Sequence, residues 1–371
     1  MKKIWLVLIL GLLVRIFLSY TTFHPDLAAI NEGGKVVFSG RIFTLYNYSS
    51  EAVVFNYPPL IYLFFGIFNF FFGGILWLFK LPYLIFDLMV GFLLYKLVDP
   101  KKSLLVFSLW MFNPVNLYAS YMMGQFDIIP TFFSVLSVYL VSKNRLNLAA
   151  LALGGGIAFK LYPVFLIIPL ILLGKNIWVK IRLLVFAFLP YIISIFPYLT
   201  SSNFRSTALF ANQSSKSLYV SIPVSGGESI LLFPLFLIIF YLLILTKSNK
   251  LSLWKFYLIP LLLFFIFTHY HPQWLIWITP FIILDLVIEK FKNIIPVMII
   301  LGSWFVSLFF FDSSLTIGLF SPFFPVLKNA PSIWNLIHIS PDYNFSRSIL
   351  QTILAAPLFY MIFKLYKKEN A

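Results

Sequence analysis

Apolar runs of roughly helix length follow one another along almost the whole chain. The first covers 4–20, and others cover 81–98, 103–121, 126–142, 147–173, 182–199, 230–246, 253–268, 274–289, 294–311 and 347–365. None alternates with period two as a membrane barrel strand does, so the pattern predicts helices. Short basic connections separate some runs: DPKK (99–102), SKNR (142–145), GKNIWVKIR (174–182), TKSNK (246–250), EKFKN (289–293) and the tail KLYKKEN (364–370). Longer polar or aromatic connections occupy 21–57, 200–229 and 312–346, with tight turns at 121–126 and 269–273.

Lys and Arg are retained on the cytoplasmic side of a membrane, so the basic connections belong inside. Alternation then requires two adjustments. The Phe-rich segment 57–79, opened by Pro58-Pro59, must not cross and is expected to lie in the outer interface. The run 147–173 must cross twice, broken by Gly154–Gly156 and by Lys160-Leu-Tyr-Pro163. The expected fold is therefore all-α, a polytopic transmembrane helical bundle of about 12 spans, within a range of roughly 10 to 13. It forms a single membrane domain over 1–371 with both termini cytoplasmic. Residues 21–80 make a long first outer loop with an interfacial helix, and 200–229 and 312–346 are further outer loops. MKKIWLVLILGLLVRIFLSY lacks a small-residue cleavage site and is read as a retained first span rather than a signal peptide. All four histidines and the sequons at Asn47, Asn212 and Asn344 fall on the outer side of this topology.

Composition agrees. Only 11% of residues are charged, against about 25% in ordinary domains, and mean hydropathy is +0.95. The net charge of +15 is accounted for by cytoplasmic loops, and no basic cluster belongs to a nucleic-acid module. With no cysteine, disulfides, thiolate metal sites and a cysteine nucleophile are excluded.

The outer side is then where polar chemistry belongs. Asp26, just past the first span, suits a general base; Glu32 and Glu51 read as loop acids. Tyr57-Pro58-Pro59 fixes the chain where it re-enters the interface. Gln125 and Asp127 stand at the mouth of a helix pair, where an acid must be paired, hydrated or used. Asp87, deeper, is either functional or a structural partner of Arg15. Lys160 either faces an anion or snorkels to the surface. His269, His271 and Gln273 open a span anchored by Trp274 and Trp277. Without HExxH spacing, hydrogen bonds to a phosphate fit them better than a metal.

HPD after the first span, Tyr-Pro-Pro-Leu, NPVNLYASYMMGQFDII, GIAFKLYPVFLIIPL and HPQWLIW, in this order, resemble the integral membrane mannosyltransferases of the GT-C superfamily. The likeness is to polyprenol-phosphate-mannose-dependent enzymes. The resemblance implies an outward or lumenal site in the cell membrane or an endomembrane. There Asp26 would act as general base on an acceptor hydroxyl, which displaces polyprenyl phosphate from C1 with inversion. Lys160, His271 and His269 would face the donor phosphate. Gln125, Asp127, Tyr57, Tyr162 and Gln273 would line the sugar and acceptor pocket. The implied partners are a polyprenyl- or dolichyl-phosphate sugar, a glycolipid or glycan acceptor and the bilayer. No cofactor is implied; a divalent metal is not favoured, because the next acid after Asp26 is Glu32 rather than a close second carboxylate. The alternatives are a non-catalytic subunit of the same architecture and a transporter or flippase of lipid-linked glycans.

Overall fold

The computed structural model describes residues 2–51, 53–210, 215–245 and 252–368. The TKSNK connection, the Asn212 sequon and the last residues of the basic tail lie outside the described residues.

The first helix, α1 (Lys2–Thr21), has its polarity inside out. Gly11, Arg15 and Ser19, at i, i+4 and i+8, are buried, while Trp5, Ile9, Leu13 and Phe17 face outward. A helix that hides its arginine and displays its apolar residues is placed against lipid. The supposed loop after it contains a second helix, α2 (Pro25–Phe38), begun by Pro25 at its first position and capped by His24, whose Nδ1 accepts the Asp26 N–H. Helix α3 (Pro59–Phe72) packs on α2 at very short range. A Cβ on Gly33 would meet the Tyr62 ring at 2.2 Å, and one on Gly34 would meet Phe65 at 2.5 Å. Asn69 Nδ2 bridges the pair to Asn31 Oδ1 at 2.7 Å. Segment 57–79 is thus not one continuous helix. Gly73 and Gly74 adopt positive φ and end α3 before a 3-10 turn at Leu76–Lys80.

Helices α4 (Tyr83–Leu97) and α5 (Pro100–Met111) follow. The apolar run 103–121 is interrupted at Asn113-Pro114, because Asn113 Oδ1 captures the Val115 and Asn116 N–H groups and starts a new turn. That turn continues as one π-helical turn over Leu117–Met122. Next come α6 (Ile128–Ser142) and α7 (Leu146–Phe159). The expected break at Lys160 is present: its backbone is extended, and a 3-10 turn at Tyr162–Leu166 follows. Gly154–Gly156, by contrast, stay helical. Their role is contact, since a Cβ on Gly154 would meet Ala187 O at 2.5 Å in α8 (Ile177–Ile195).

The chain closes with α9 (Leu232–Leu245), α10 (Leu253–Phe267), a 3-10 turn at Pro272–Trp277, α11 (Thr279–Ile288), α12 (Ile294–Ser307) and α13 (Tyr343–Lys368). One departure from an all-α fold is a small antiparallel hairpin, β1 (Ser221–Pro223) with β2 (Ser229–Leu231), turned by Gly226 and Gly227 at positive φ. Among the described residues four segments are long and apolar enough to cross a membrane: Lys2–Thr21, Leu76–Leu97, Ile177–Tyr198 and Tyr343–Lys367. The remaining apolar helices are shorter, and a 14-residue helix such as α3 spans about 21 Å against a hydrocarbon core of about 30 Å.

One buried carboxylate knots the N-terminal half together. Asp87 receives Arg15 Nε at 2.5 Å, Tyr121 Oη at 2.6 Å, Trp110 Nε1 at 2.7 Å and Asn116 Nδ2 at 2.8 Å. Arg15 also donates to Met111 O at 2.7 Å. This deep acid is a structural partner of Arg15, with α1, α4, α5 and the π-turn all fastened to it. Its removal leaves a guanidinium in the bundle without a counter-charge. We expect Asp87→Ala to cost about 3–5 kcal/mol, read as a large drop in the unfolding midpoint in detergent; an unchanged midpoint would refute the role.

Candidate active site

Two side-chain pairs, held by one turn, build the site. The turn is 121–127, and Lys80 fixes it. Its buried ammonium donates to Thr22 O at 2.7 Å and Tyr121 O at 2.8 Å, joining the end of α1 to the turn. Gly124, at φ +72°, then swings the chain so that the residues beyond it diverge. Gln125 Nε2 donates to Asp26 Oδ2 at 2.7 Å. Asp127 Oδ1 accepts from Lys160 Nζ at 2.7 Å and from Trp277 Nε1 at 2.6 Å.

Asp26 is the water-facing member, with 48% of its side chain exposed. It occupies the first turn of α2, where the helix dipole favours a carboxylate. The corner before it is clamped from the far end of the chain. Phe23 N–H donates to Leu319 O at 2.8 Å, and Tyr118 Oη donates to Leu315 O at 2.8 Å. His24 is held below its ordinary pKa by burial, partly offset by Asp26.

Lys160 sits in an aromatic cage. Its Nζ lies 5.2 Å from the Phe126 ring centre, 5.4 Å from Trp274, 5.5 Å from Trp277 and 5.6 Å from Tyr57. These faces solvate a cation that lipid cannot. Tyr162 stacks on Trp277 at 4.1 Å. The cage opens on a cavity of about 270 Å³ whose wall includes Tyr57, Lys160, Tyr162, Phe165, Trp274 and Trp277. Burial pushes the Tyr57 hydroxyl well above its ordinary pKa, and the Asp26 and Asp127 carboxylates add to the shift. Tyr57, one face of the cage around Lys160, is therefore a neutral hydrogen-bonding group.

The structure brings Tyr57, Lys160 and Tyr162 to one wall, with Asp26 beside it through Gln125. Other expected positions differ. Asp127 and Gln125 are buried and do not line the cavity; each is committed to holding a neighbour, Lys160 or Asp26. Gln273 is buried behind the wall, its Oε1 without a partner. His269 faces a separate cavity. Among the described residues no three of His, Asp and Glu gather as metal ligands.

Sequence reasoning missed Lys216. Its Nζ lies 3.2 Å from His271 Nε2 and 6.0 Å from the Trp274 ring centre, which puts a second cation beside the first. The only trace of it in the sequence is a solitary lysine in the polar stretch ANQSSKSLY (211–219). Because an ammonium only donates, His271 Nε2 accepts and Nδ1 carries the proton. Burial, Lys216, His269 and Lys160 push the His271 pKa down to about 4. The ring is neutral near pH 7, so it contributes a hydrogen-bond donor and not the cationic charge that would clamp an anion.

The fold and cage define the class: an integral membrane protein built as a helical bundle, with a cationic aromatic pocket beside a water-facing carboxylate. A family model described as mannosyltransferase (PIG-M) matches residues 120–187, a span that holds Gln125, Asp127, Lys160 and Tyr162. The chain is similar to GPI mannosyltransferase 1 of Candida albicans, 29% identical over 151 residues that cover 38% of this chain and 35% of that protein. It is 30% identical over 95 residues to the protein of that name in Saccharomyces cerevisiae, covering 24% and 23%. With the one in Schizosaccharomyces pombe it shares 35% over 88 residues, covering 23% and 24%. The chain matches about a quarter to a third of the length of these curated relatives.

Two outcomes follow from this geometry. Asp127→Asn strands the buried Lys160 ammonium and is expected to cost about 3 kcal/mol or more, whereas Asp127→Asn with Lys160→Met recovers much of it; thermal unfolding of the double-mutant cycle measures the coupling, and additive losses would contradict it. The folded pKa of His271 lies below the unfolded value of about 6.5, so the unfolded chain takes up the proton first. Its contribution is constant above about pH 6.5, and stability falls as pH drops from there towards 4. His271→Gln should flatten that acid limb in a pH series of unfolding midpoints, and an unaltered limb would argue against the assignment.

Proposed function

We propose that the protein is a membrane glycosyltransferase, which moves mannose from a polyprenyl-phosphate donor to a hydroxyl of a glycolipid or glycan acceptor. The observation that carries this reading is the placement of a hydrated carboxylate and a caged ammonium on either side of one turn. Asp26 is held by Gln125 and Lys160 by Asp127, and the Tyr57 ring faces Lys160. The similarity over 120–187 to a mannosyltransferase family supports the sugar.

Asp26 takes the proton from the acceptor oxygen as that oxygen bonds to C1 of the sugar. The C1–O bond to the phosphate breaks on the opposite face, and the electron pair leaves with polyprenyl phosphate. The anomeric centre is inverted. Phosphate is a competent leaving group once its charge is met. Asp127 neutralises Lys160, which therefore offers the phosphate its remaining N–H donors, while the net positive charge comes from the neighbouring Lys216. Tyr57 and Tyr162 offer hydroxyls and flat faces suited to a sugar ring. The apolar cavity wall around Phe165 receives the start of the prenyl tail.

In this reading the basic connections are cytoplasmic and both termini lie inside. The bundle crosses about 12 times, α2 and α3 recline at the outer surface, and the site faces out of the cell or into the lumen. Purified protein in nanodiscs, supplied with polyprenyl-phosphate mannose and an extract of membrane glycolipids, is expected to release polyprenyl phosphate. Asp26→Asn should lower that rate by about 10²–10⁴-fold without shifting the unfolding midpoint; a fully active Asp26→Asn protein would overturn the role of the carboxylate.

A further inference from the structure

A second, larger cavity of about 610 Å³ opens where the end of α10 meets the first turns of α13, and its wall includes Thr268, His269, Tyr270, Asn344, Arg347 and Gln351. Arg347 is the cation of this wall. Its Nε donates to Tyr343 O at 3.1 Å and its Nη2 to Asn344 Oδ1 at 3.2 Å, with the guanidinium over the Phe311 ring at 5.6 Å. Among the described residues no carboxylate lies within ion-pair distance of it. On the same wall Thr268 is 1% exposed, and its Oγ1 has no hydrogen-bond partner. A buried hydroxyl without a partner is costly, and a ligand oxygen would satisfy it.

The two histidines divide this cavity from the Lys160 pocket. His269 lines the larger space, His271 packs on Trp274 of the smaller, and the two rings lie 5.9 Å apart. Burial, Lys216 and Arg347 hold His269 below its ordinary pKa, so it enters the wall as a neutral hydrogen-bonding ring.

We infer that this cavity is a second phosphate site, which takes the head group of an anionic phospholipid. The remaining guanidinium donors, a hydroxyl, an imidazole and the Asn344 carboxamide match the several acceptor oxygens of a phosphate. A lipid is the source because the helix that carries Arg347 continues with apolar residues facing outward, Ile349, Ile353, Phe359 and Phe363. Acyl chains lying along them keep the head group at the level of Arg347. The binding of the phospholipid does not rest on the transferase reading.

Native mass spectrometry of the full-length protein, titrated with phosphatidylglycerol or with diacylglycerol of the same chains, tests the site without donor or turnover. Wild-type protein is expected to retain one phosphatidylglycerol in preference to diacylglycerol. Arg347→Gln should weaken that retention about tenfold, and Arg347→Lys should restore part of it. His269→Gln leaves α13 untouched and should weaken it about threefold, which keeps the site testable if the Arg347 variants fail to accumulate. Equal retention of the two lipids, or equal retention by wild type and both substituted positions, would overturn the phosphate site. Displacement of the phospholipid by inorganic phosphate at the same concentration would overturn the lipid source. Loss of selective binding with turnover intact would fail this site alone; intact binding without turnover would fail the transferase reading alone.

Discussion

Lys160 and Asp127 have to find each other, and much of the rest is arranged so that they do. An ammonium in a membrane span costs about 2.5–3.5 kcal/mol on insertion scales. The chain meets that cost with one carboxylate, an indole N–H on the same oxygen and four aromatic faces. Those partners come from widely separated segments: 57, 126–127, 160 and 274–277. Helix α7 must stop at residue 160 and the 121–127 turn must point its acid inward. The 3-10 turn before α11 must bring two tryptophans to the same point.

The same rule governs the other buried charges. Arg15 answers Asp87, and Lys80 is met by backbone carbonyls at the end of α1 and in the 121–127 turn. Each pairing joins elements far apart in the chain, so the polar groups that hydropathy counts against the bundle specify how its helices meet. Asp26 inherits its position from them. Lys80 fixes the turn, the turn aims Gln125, and Gln125 aims Asp26.

Much of this was legible because charge in an apolar run is conspicuous. A first helix over 4–20, the break at Lys160 and Asp87 as a possible partner of Arg15 were read from residues that stand out against their surroundings. What escaped detection was polar or neutral in context. Helix α2 lies in a polar stretch, although Leu27 and Ile30, three apart, give it a buried face. Gly154 looked like a breaker because sequence does not show the helix it must let approach. Asp127 was expected at a pocket surface, while its neighbours turn it inward. Lys216 is one lysine in a polar segment, and only the fold gives it His271.

The clamp on the His24 corner bears on when the site comes into being. Phe23 is tied to Leu319 and Tyr118 to Leu315, so the segment that follows α1 is fastened by one made late in the chain. During synthesis α1 and α2 emerge, and the Lys160–Asp127 pair can close, while the corner that orients Asp26 still lacks its brace. The corner therefore stays unbraced until every helix of the bundle except α13 has been made. Asp26 gains that brace only once residues 315–319 have been made, so the placement of an early carboxylate waits on a late segment of the chain.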